Sequence, residues 1–480
     1  MSNIDFEDEN LDSKSFDDME RKIREYRQSL NKEGKNNFAL PSIDVIEGII
    51  DYCFDKERFD EALDFCEMWL EISPYSTDAL LKKSIALLNL ENYQKAIETL
   101  DKALTINPTD SELLNQKAFT LVYADKANLA LDFIDLALSY DPQNEEYKFN
   151  KGLIYESLFE FEKAIEIFTE LTDSNEFQFK SYMELAYCFY FKGDYTNAEN
   201  YYKLALDTNP YDSALWLNLG ISYLNNNKYN KAIDCFNTVI AIDEKAYYAW
   251  YYLGTCYSGM DRLVEAVSCF KNALKIEPDD LDSLFNLASL QGDLGNYDEA
   301  IKLFSKSIEL EPDNYQLFFG RGICYESTNQ LKKALNDYDY AINLNNKNPE
   351  LWYAKAELLN DLDKPKQAIV CYRKALELNP NNIDFWFDYG LTLYELSQFD
   401  EAKTAFQKVV HLNPAWSDGY FELAKVFAKL NLIEMTTKLI IKSIELNSEK
   451  YLDFQLEFIN LLKTKDYFQI EEKILRLLEI

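Results

Sequence analysis

Large apolar, small and polar positions recur along this chain at one fixed spacing of 34 residues. Alanine anchors the spacing, at Ala62, Ala96, Ala130, Ala164, Ala198, Ala232, Ala266, Ala300, Ala334, Ala368 and Ala402. Each period is numbered 1 to 34, starting at Ile43, Thr77, Ser111, Glu145, Phe179, Ser213, Tyr247, Leu281, Tyr315, Pro349, Ile383 and Ser417, so these alanines are position 20. Position 4 is large and apolar in most periods, as at Leu80, Trp216, Trp250, Phe318, Trp352 and Trp386. Position 8 is small, as at Ala118, Gly152, Gly220, Gly254, Gly322 and Gly390. Position 24 is usually aromatic, at Phe168, Tyr202, Phe236, Phe270, Phe304, Tyr338, Tyr372 and Phe406.

The pattern predicts two helices per period, A then B, folded back on each other. Small residues at positions 8 and 20 let the two helices approach closely, and large residues at 4 and 24 fill the space beside them. Position 32 is proline at Pro74, Pro108, Pro142, Pro210, Pro278, Pro312, Pro380 and Pro414. Proline cannot continue helix B, so it belongs to the turn before the next helix A. Ser76, Asp110, Asn144, Asp212, Asp280, Asn314 and Asn382, all at position 34, are suited to cap that next helix. Self-similarity at such a period marks a stack in which each unit packs on its neighbours.

From residue 43 onward the chain resembles the tetratricopeptide repeat family. The resemblance implies an all-α, right-handed superhelical solenoid, with A helices lining a concave groove and B helices facing outward. In this register twelve repeats span 43–450, and an incomplete thirteenth over 451–480 serves as a C-terminal cap. Residues 1–16 read as an acidic, disordered tail, since the first twenty residues carry eight acidic side chains and one lysine. Residues 17–42 read as a capping helix and loop, with Met19, Ile23, Tyr26 and Leu30 on one helical stripe.

Composition narrows the function. No apolar run approaches the length of a membrane span, and the first residues lack the basic start and apolar stretch of a secretory signal, so a soluble, cytoplasmic protein is expected. The net charge of −34 opposes binding to nucleic-acid phosphates. Eight cysteines contain no Cys-x-x-Cys pair. Cys188, Cys256 and Cys324 share position 10, and Cys235, Cys269 and Cys371 share position 23, which reads as apolar core filler. The lone histidine, His411, excludes histidine-built zinc sites. No metal or other cofactor is expected. Repeats account for the chain from residue 43, and no phosphate loop or nucleophile motif appears, so no enzyme is expected.

The family resemblance implies that A-helix positions 2, 5, 9, 12 and 13 face the groove. Position 5 carries Phe149, Met183, Tyr251, Phe285, Phe319, Tyr353, Phe387 and Phe421. Tyr187 at position 9 and Tyr190 at position 12 join them. These residues are the expected partner-binding surface, the alternative being that the rings pack on the neighbouring A helix. Asp44, Glu47, Asp51 and Asp55 form an expected acidic mouth at the first repeat, and Lys425, Lys429 and Lys463 reverse the sign at the far end. Position 5 has no lysine or arginine, so the family's clamp for acidic chaperone tails is not expected.

The resulting expectation is a non-catalytic scaffold that binds an extended or helical, basic segment of a protein partner, as a monomer or with weak self-association. The alternatives are a structural protein assembling through Leu477, Leu478 and Ile480 or through the N-terminal helix, and an accessory arm that recruits a separately encoded enzyme.

Overall fold

The computed structural model describes Glu20, Arg21, Ile23, Arg24 and residues 42–477. The expected acidic tail, most of the expected capping segment, and Leu478 and Ile480 lie outside the described residues. Among those described, every regular element is helical and none is a strand. The chain divides into two units, Met1–Asp243 and Glu244–Ile480. The first holds repeats 1 to 6; the second holds repeats 7 to 12 and a terminal helix pair.

Helix A occupies positions 1 to 13 and helix B positions 17 to 30, as in Thr77–Asn89 and Tyr93–Ile106 of repeat 2. In the second unit the same frame gives Tyr247–Gly259 and Leu263–Ile276 in repeat 7. Within each unit, helix B packs both on its own helix A and on the next one. The position-20 alanines, from Ala62 to Ala402, are fully buried, where any larger side chain would push the helices apart. The position-8 glycines do the same more tightly. A Cβ on Gly152, Gly220, Gly254, Gly322 or Gly390 would lie 2.5–2.8 Å from the position-24 ring of its own repeat.

Each A helix starts with a side-chain cap in most repeats. Asp110 accepts from the backbone N–H groups of Glu112 and Leu113 at 3.1 and 3.2 Å, and Asn382 accepts from Phe385 at 3.1 Å. Asn348 caps Glu350 N–H at 3.0 Å in the same way, a position-34 residue the sequence reading passed over. Tryptophans at position 4 reach back one repeat: Trp216 donates to the Pro210 carbonyl at 2.8 Å and Trp386 to that of Pro380 at 2.9 Å.

The end of helix A follows a rule that the composition conceals. Position 15 adopts a left-handed backbone in all twelve repeats, with φ between 54° and 77°, yet only Gly193 and Gly295 are glycine there. The others include Glu57, Glu91, Asp125, Phe159 and Ser397. The geometry is a Schellman cap. In repeat 2, Asn92 N–H bonds the Leu87 carbonyl at 2.8 Å and Glu91 N–H bonds that of Leu88 at 2.9 Å. A side chain in this conformation costs about 1–2 kcal/mol that glycine avoids, offset in part by glycine's greater chain entropy when unfolded. Glu91→Gly should therefore stabilise repeat 2 by about 0.5–1 kcal/mol, seen as slower hydrogen exchange in its two helices; faster exchange would contradict the cap.

Adjacent repeats are also joined by charge. Lysine at position 7 pairs with an acid at position 25 of the preceding repeat: Lys83 with Glu67 at 2.9 Å, Lys117 with Asp101 at 2.6 Å and Lys151 with Asp135 at 2.7 Å in the first unit. Lys355 and Asp339 repeat the arrangement in the second, at 2.5 Å. Exposed pairs of this kind give up to ~1 kcal/mol each, and here they fix the stagger of neighbouring repeats.

Repeat 4 breaks the frame. Its helix B, Phe161–Glu170, stops early and continues as a 3-10 turn, Leu171–Asp173. Ser174 then accepts from the N–H of Phe177 at 3.0 Å and donates to Glu145 at 2.7 Å. This turn drives Phe177 inward against Phe149, with ring centroids 5.3 Å apart. At the N-terminal side, Ile23 is buried in the core of repeat 1, and Glu20 accepts a bond from the Tyr52 hydroxyl at 3.2 Å. At the C-terminal side, Lys450–Leu461 and Thr464–Leu477 are joined by two residues, without the left-handed turn. No helix among the described residues is long and apolar enough to cross a membrane.

Candidate functional site

The position-5 residues do not behave alike. Tyr251, Phe285, Phe319, Tyr353 and Phe387 are half-buried, and each lies against the position-24 ring of its own repeat. The centroid separations are 5.6–6.1 Å, from Phe319–Tyr338 to Phe285–Phe304. One face of each ring thus closes the helix hairpin, and only the remainder is available to a partner. The six-repeat aromatic run is explained first by packing within repeats.

Two expected contact residues are corrected. Phe149 is buried, covered by Phe168 and by the displaced Phe177. Phe421 is buried too, because the terminal pair places Phe458 where most repeats have a small residue, with centroids 5.4 Å apart. Both rings are core. Met183 is half-buried, Tyr187 is exposed, and the half-buried Tyr190 accepts a bond from the Asn225 side-chain amide at 2.8 Å.

The acidic mouth is also weaker than its sequence suggests. Lys82 of repeat 2 reaches into it and pairs with Glu47 at 3.4 Å and with Asp51. Those carboxylates raise the Lys82 ammonium against its own burial. Asp44 and Asp55 remain exposed. At the far end Lys425 is likewise engaged, with Glu422 at 3.0 Å and Glu457 at 2.7 Å.

Carboxyls further along the chain prove more informative. In repeats 9 to 11 the Tyr353 hydroxyl donates to Asp388 at 2.6 Å and has a Glu357 carboxyl oxygen 3.1 Å away. The Tyr338 hydroxyl donates to Glu326 at 2.6 Å. Burial raises the carboxyls of Glu326, Glu357 and Asp388, and the negative field of Asp361 adds to the first two. No described lysine or arginine forms an ion pair with any of the four. Glu326 and Asp388 are half-buried, and Glu357 and Asp361 lie exposed beside them. A raised carboxyl is relieved by holding its proton or by a cation brought from outside.

A second acidic pair lies in the first unit, formed by Glu156 of repeat 4 and Glu184 of repeat 5; the Cys188 thiol, one turn after Glu184, donates to Glu156 at 3.9 Å. Burial, and then the negative field of Glu184, push the Glu156 carboxyl up to about 8; burial also raises Glu184. The register held a signal for these residues: an acid at position 6 or 12 of helix A, where most repeats are uncharged.

A wide cleft lies elsewhere in the second unit. About 630 Å³ in volume, it is lined by Trp386, Tyr389, Arg373 and Glu401, and Arg373 spans it to Tyr389 at 2.9 Å and Glu401 at 2.6 Å. A smaller cleft of about 300 Å³ adjoins Phe285, Asp282 and Asn286 on the helix-A side.

Comparison with known proteins follows the repeat frame. Residues 144–350 match the family described as the cilia and flagella-associated protein 70 C-terminal domain. Tetratricopeptide repeat families match residues 54–118, 349–382 and 371–404. No curated protein matches the chain. Among solved structures, the APC/C hetero-tetramer Cut9–Hcn1 is 14% identical and covers 88% of this chain and 96% of that one, at a TM-score of 0.39. YrrB, described as a repeat protein with an unusual peptide-binding site, is 23% identical over 39% of this chain and 97% of its own, at 0.36. The C-terminal part of a repeat-containing protein from Cytophaga hutchinsonii is 18% identical over 50% and 98%, at 0.42.

Proposed function

Because the chain belongs to the tetratricopeptide repeat family, we propose that it is a non-catalytic scaffold whose A helices bind a basic segment of a protein partner. The observation that carries this reading is the cluster of Glu326, Glu357 and Asp388, each beside a tyrosine hydroxyl, with Asp361 adding its charge and no ion pair to any of the four among the described residues. The open edges of Phe285, Phe319, Tyr353 and Phe387 lie in the same run of repeats and supply apolar anchorage. A half-buried ring gains roughly 1 kcal/mol on full burial, so rings alone leave little after an association cost of ~4–15 kcal/mol. Charge must contribute, and its contribution falls with salt.

The test is affinity capture eluted by a salt gradient, comparing the full chain with a variant carrying Phe319→Ala, Phe387→Ala, Glu357→Gln and Asp388→Asn. A partner with a basic segment should bind the variant at least about tenfold more weakly, or ~1.4 kcal/mol. Equal retention by both proteins would remove the binding surface from these repeats.

Self-association is the second reading, and a specific stripe favours it. Leu452, Leu456 and Ile459 are exposed at i, i+4 and i+7 on the first terminal helix, with Phe468 exposed on the second. Sedimentation separates the two readings: a monomer at micromolar concentration excludes a self-assembling role.

A further inference from the structure

The frame break at repeats 4 and 5 coincides with the most unusual surface in the first unit. Phe159 occupies the left-handed position 15 with φ 58°, the only aromatic there among twelve repeats. A bulky side chain is disfavoured in that conformation. It is also 75% exposed, so the ring gains nothing from the fold. Beside it the rings form a connected series. Phe159 meets Phe161 edge-on at 6.0 Å, and Phe161 stacks on Phe191 at 6.0 Å. Phe191 in turn touches Tyr187 at 4.4 Å. Phe191 is 51% exposed and Tyr187 39%. Contiguous exposed rings of this kind mark a contact surface.

The series ends on charge. Tyr187 lies one turn after Glu184 on the helix Gln178–Phe191, and the Cys188 thiol next to it in sequence donates to Glu156 at 3.9 Å, so this end of the series adjoins the carboxyl pair. No described cation serves that pair. The lysines nearby are committed elsewhere: Lys151 to Asp135 at 2.7 Å, Lys192 to Glu162 at 2.8 Å, and Lys163 to Glu160. Exposed rings and an uncompensated acid pair therefore adjoin. Their complement is a cation that tolerates loss of water, stacks flat on aromatic faces and offers several donors in a plane. Guanidinium has these properties; ammonium, compact and strongly hydrated, lacks them.

We propose that this patch docks an arginine-bearing segment of a protein partner, the guanidinium seated on Glu156 and Glu184 with its flat face toward Tyr187 and Phe191, and Phe159 covering the adjoining apolar residue. The inference rests on the helix-A side being the binding surface, and it adds a second contact, in the first unit, with a stated side-chain preference. Docking supplies the counter-charge that no described lysine or arginine gives the carboxyl pair.

A random-peptide display library panned on the full chain tests this. Selected peptides should carry arginine at one fixed register next to an apolar residue. For the strongest of them, Arg→Lys should weaken binding at least fivefold. Glu156→Gln with Glu184→Gln should weaken it at least tenfold, and so should Phe159→Asn, which keeps an unstrained residue in the left-handed turn as Asn227 does in repeat 6. Phe159→Asn lies in an exposed turn, so its result stands even if the double glutamine variant folds poorly. The repeat 10 and 11 variant Glu357→Gln with Asp388→Asn should leave binding of these peptides unchanged. Loss with that variant alone would overturn this site while sustaining the second-unit surface; loss with the repeat 4 and 5 variants alone sustains this site and leaves the second-unit surface to its own salt-gradient test. Peptides without arginine, peptides indifferent to the glutamine and asparagine variants, or no selected peptide at all would overturn the proposal. So would self-association abolished by Phe159→Asn, which would give the patch to a second copy of the chain.

Discussion

Replacing Phe406 with alanine should destabilise repeat 11 by about 3–5 kcal/mol, the range for emptying a fully buried aromatic site. Phe406 is inaccessible to solvent, lies against Gly390 and meets Phe387 at 5.8 Å. The hole cannot collapse easily, because the neighbouring residues, Gly390 and Ala402, are already as small as the packing allows. In a repeat stack each unit answers mainly to its neighbours. The loss should therefore be local. Hydrogen exchange in Ile383–Glu395 and Phe399–Leu412 should accelerate by roughly two to three orders of magnitude. Exchange in repeats 2 and 3 should stay near its original rate. Uniform acceleration along the chain would instead show that the array opens as one block.

Glu156→Gln is the second large effect, and its sign depends on pH. In the folded chain the Glu156 carboxyl is raised from 4.5 to about 8, by burial and by Glu184. A raised acid favours folding while it holds its proton. That contribution is complete below the unfolded value near 4.5 and is lost as pH rises through about 8. Each unit of pKa is worth ~1.36 kcal/mol, and solvent reaching a partly exposed pair reduces the sum to roughly 2–3 kcal/mol. The parent chain should therefore weaken in repeats 4 and 5 between pH 5 and pH 9. Glutamine keeps a hydrogen-bonding group and cannot ionise, so the variant should be nearly level across this range and more stable at pH 9. Local exchange rates at the two pH values measure the difference. Parallel pH dependence in both proteins would mean that the pair is better solvated than its position implies. The same substitution is expected to weaken arginine docking, so stability at high pH and binding move in opposite directions at this site.

The repeat frame was legible in the sequence because it is written in side-chain volume. Alanine at position 20, glycine at position 8 and a ring at position 24 have one compatible arrangement, and the helix boundaries follow it closely. The left-handed turn was legible only in part: eight of its twelve residues are Gly, Asn or Asp, which favour that conformation, but Glu57, Glu91, Phe159 and Ser397 do not, and the hydrogen bonds of the cap belong to the backbone. The missing proline at Glu176 was visible, but Asn346 lacks it too and helix B of repeat 9 still runs to Leu344. What breaks repeat 4 is the Ser174 turn and the inward Phe177.

The binding surface was legible only in part. Position 5 identifies which rings lie on that side of helix A, but not what already covers them, and Phe149 and Phe421 are lost to the core for that reason. Lys82 reaches the first-repeat acids from a neighbouring repeat, so their charge cannot be read from one helix alone. Glu156 and Glu184 stand 28 residues apart. Their partnership, and the absence of a lysine beside them, exist only once two repeats are stacked.

The cysteines have a consequence of their own. Cys66, Cys188, Cys235, Cys269, Cys324 and Cys371 are buried in six different repeats, and burial raises every one of their thiols. A thiol reacts as its thiolate, so each is silent while its repeat is closed and becomes reactive once the repeat opens. The native sequence thus contains a set of internal clocks in six repeats, with a second buried cysteine, Cys53 or Cys256, in repeats 1 and 7, whose alkylation rates report the breathing of the array site by site without any added label.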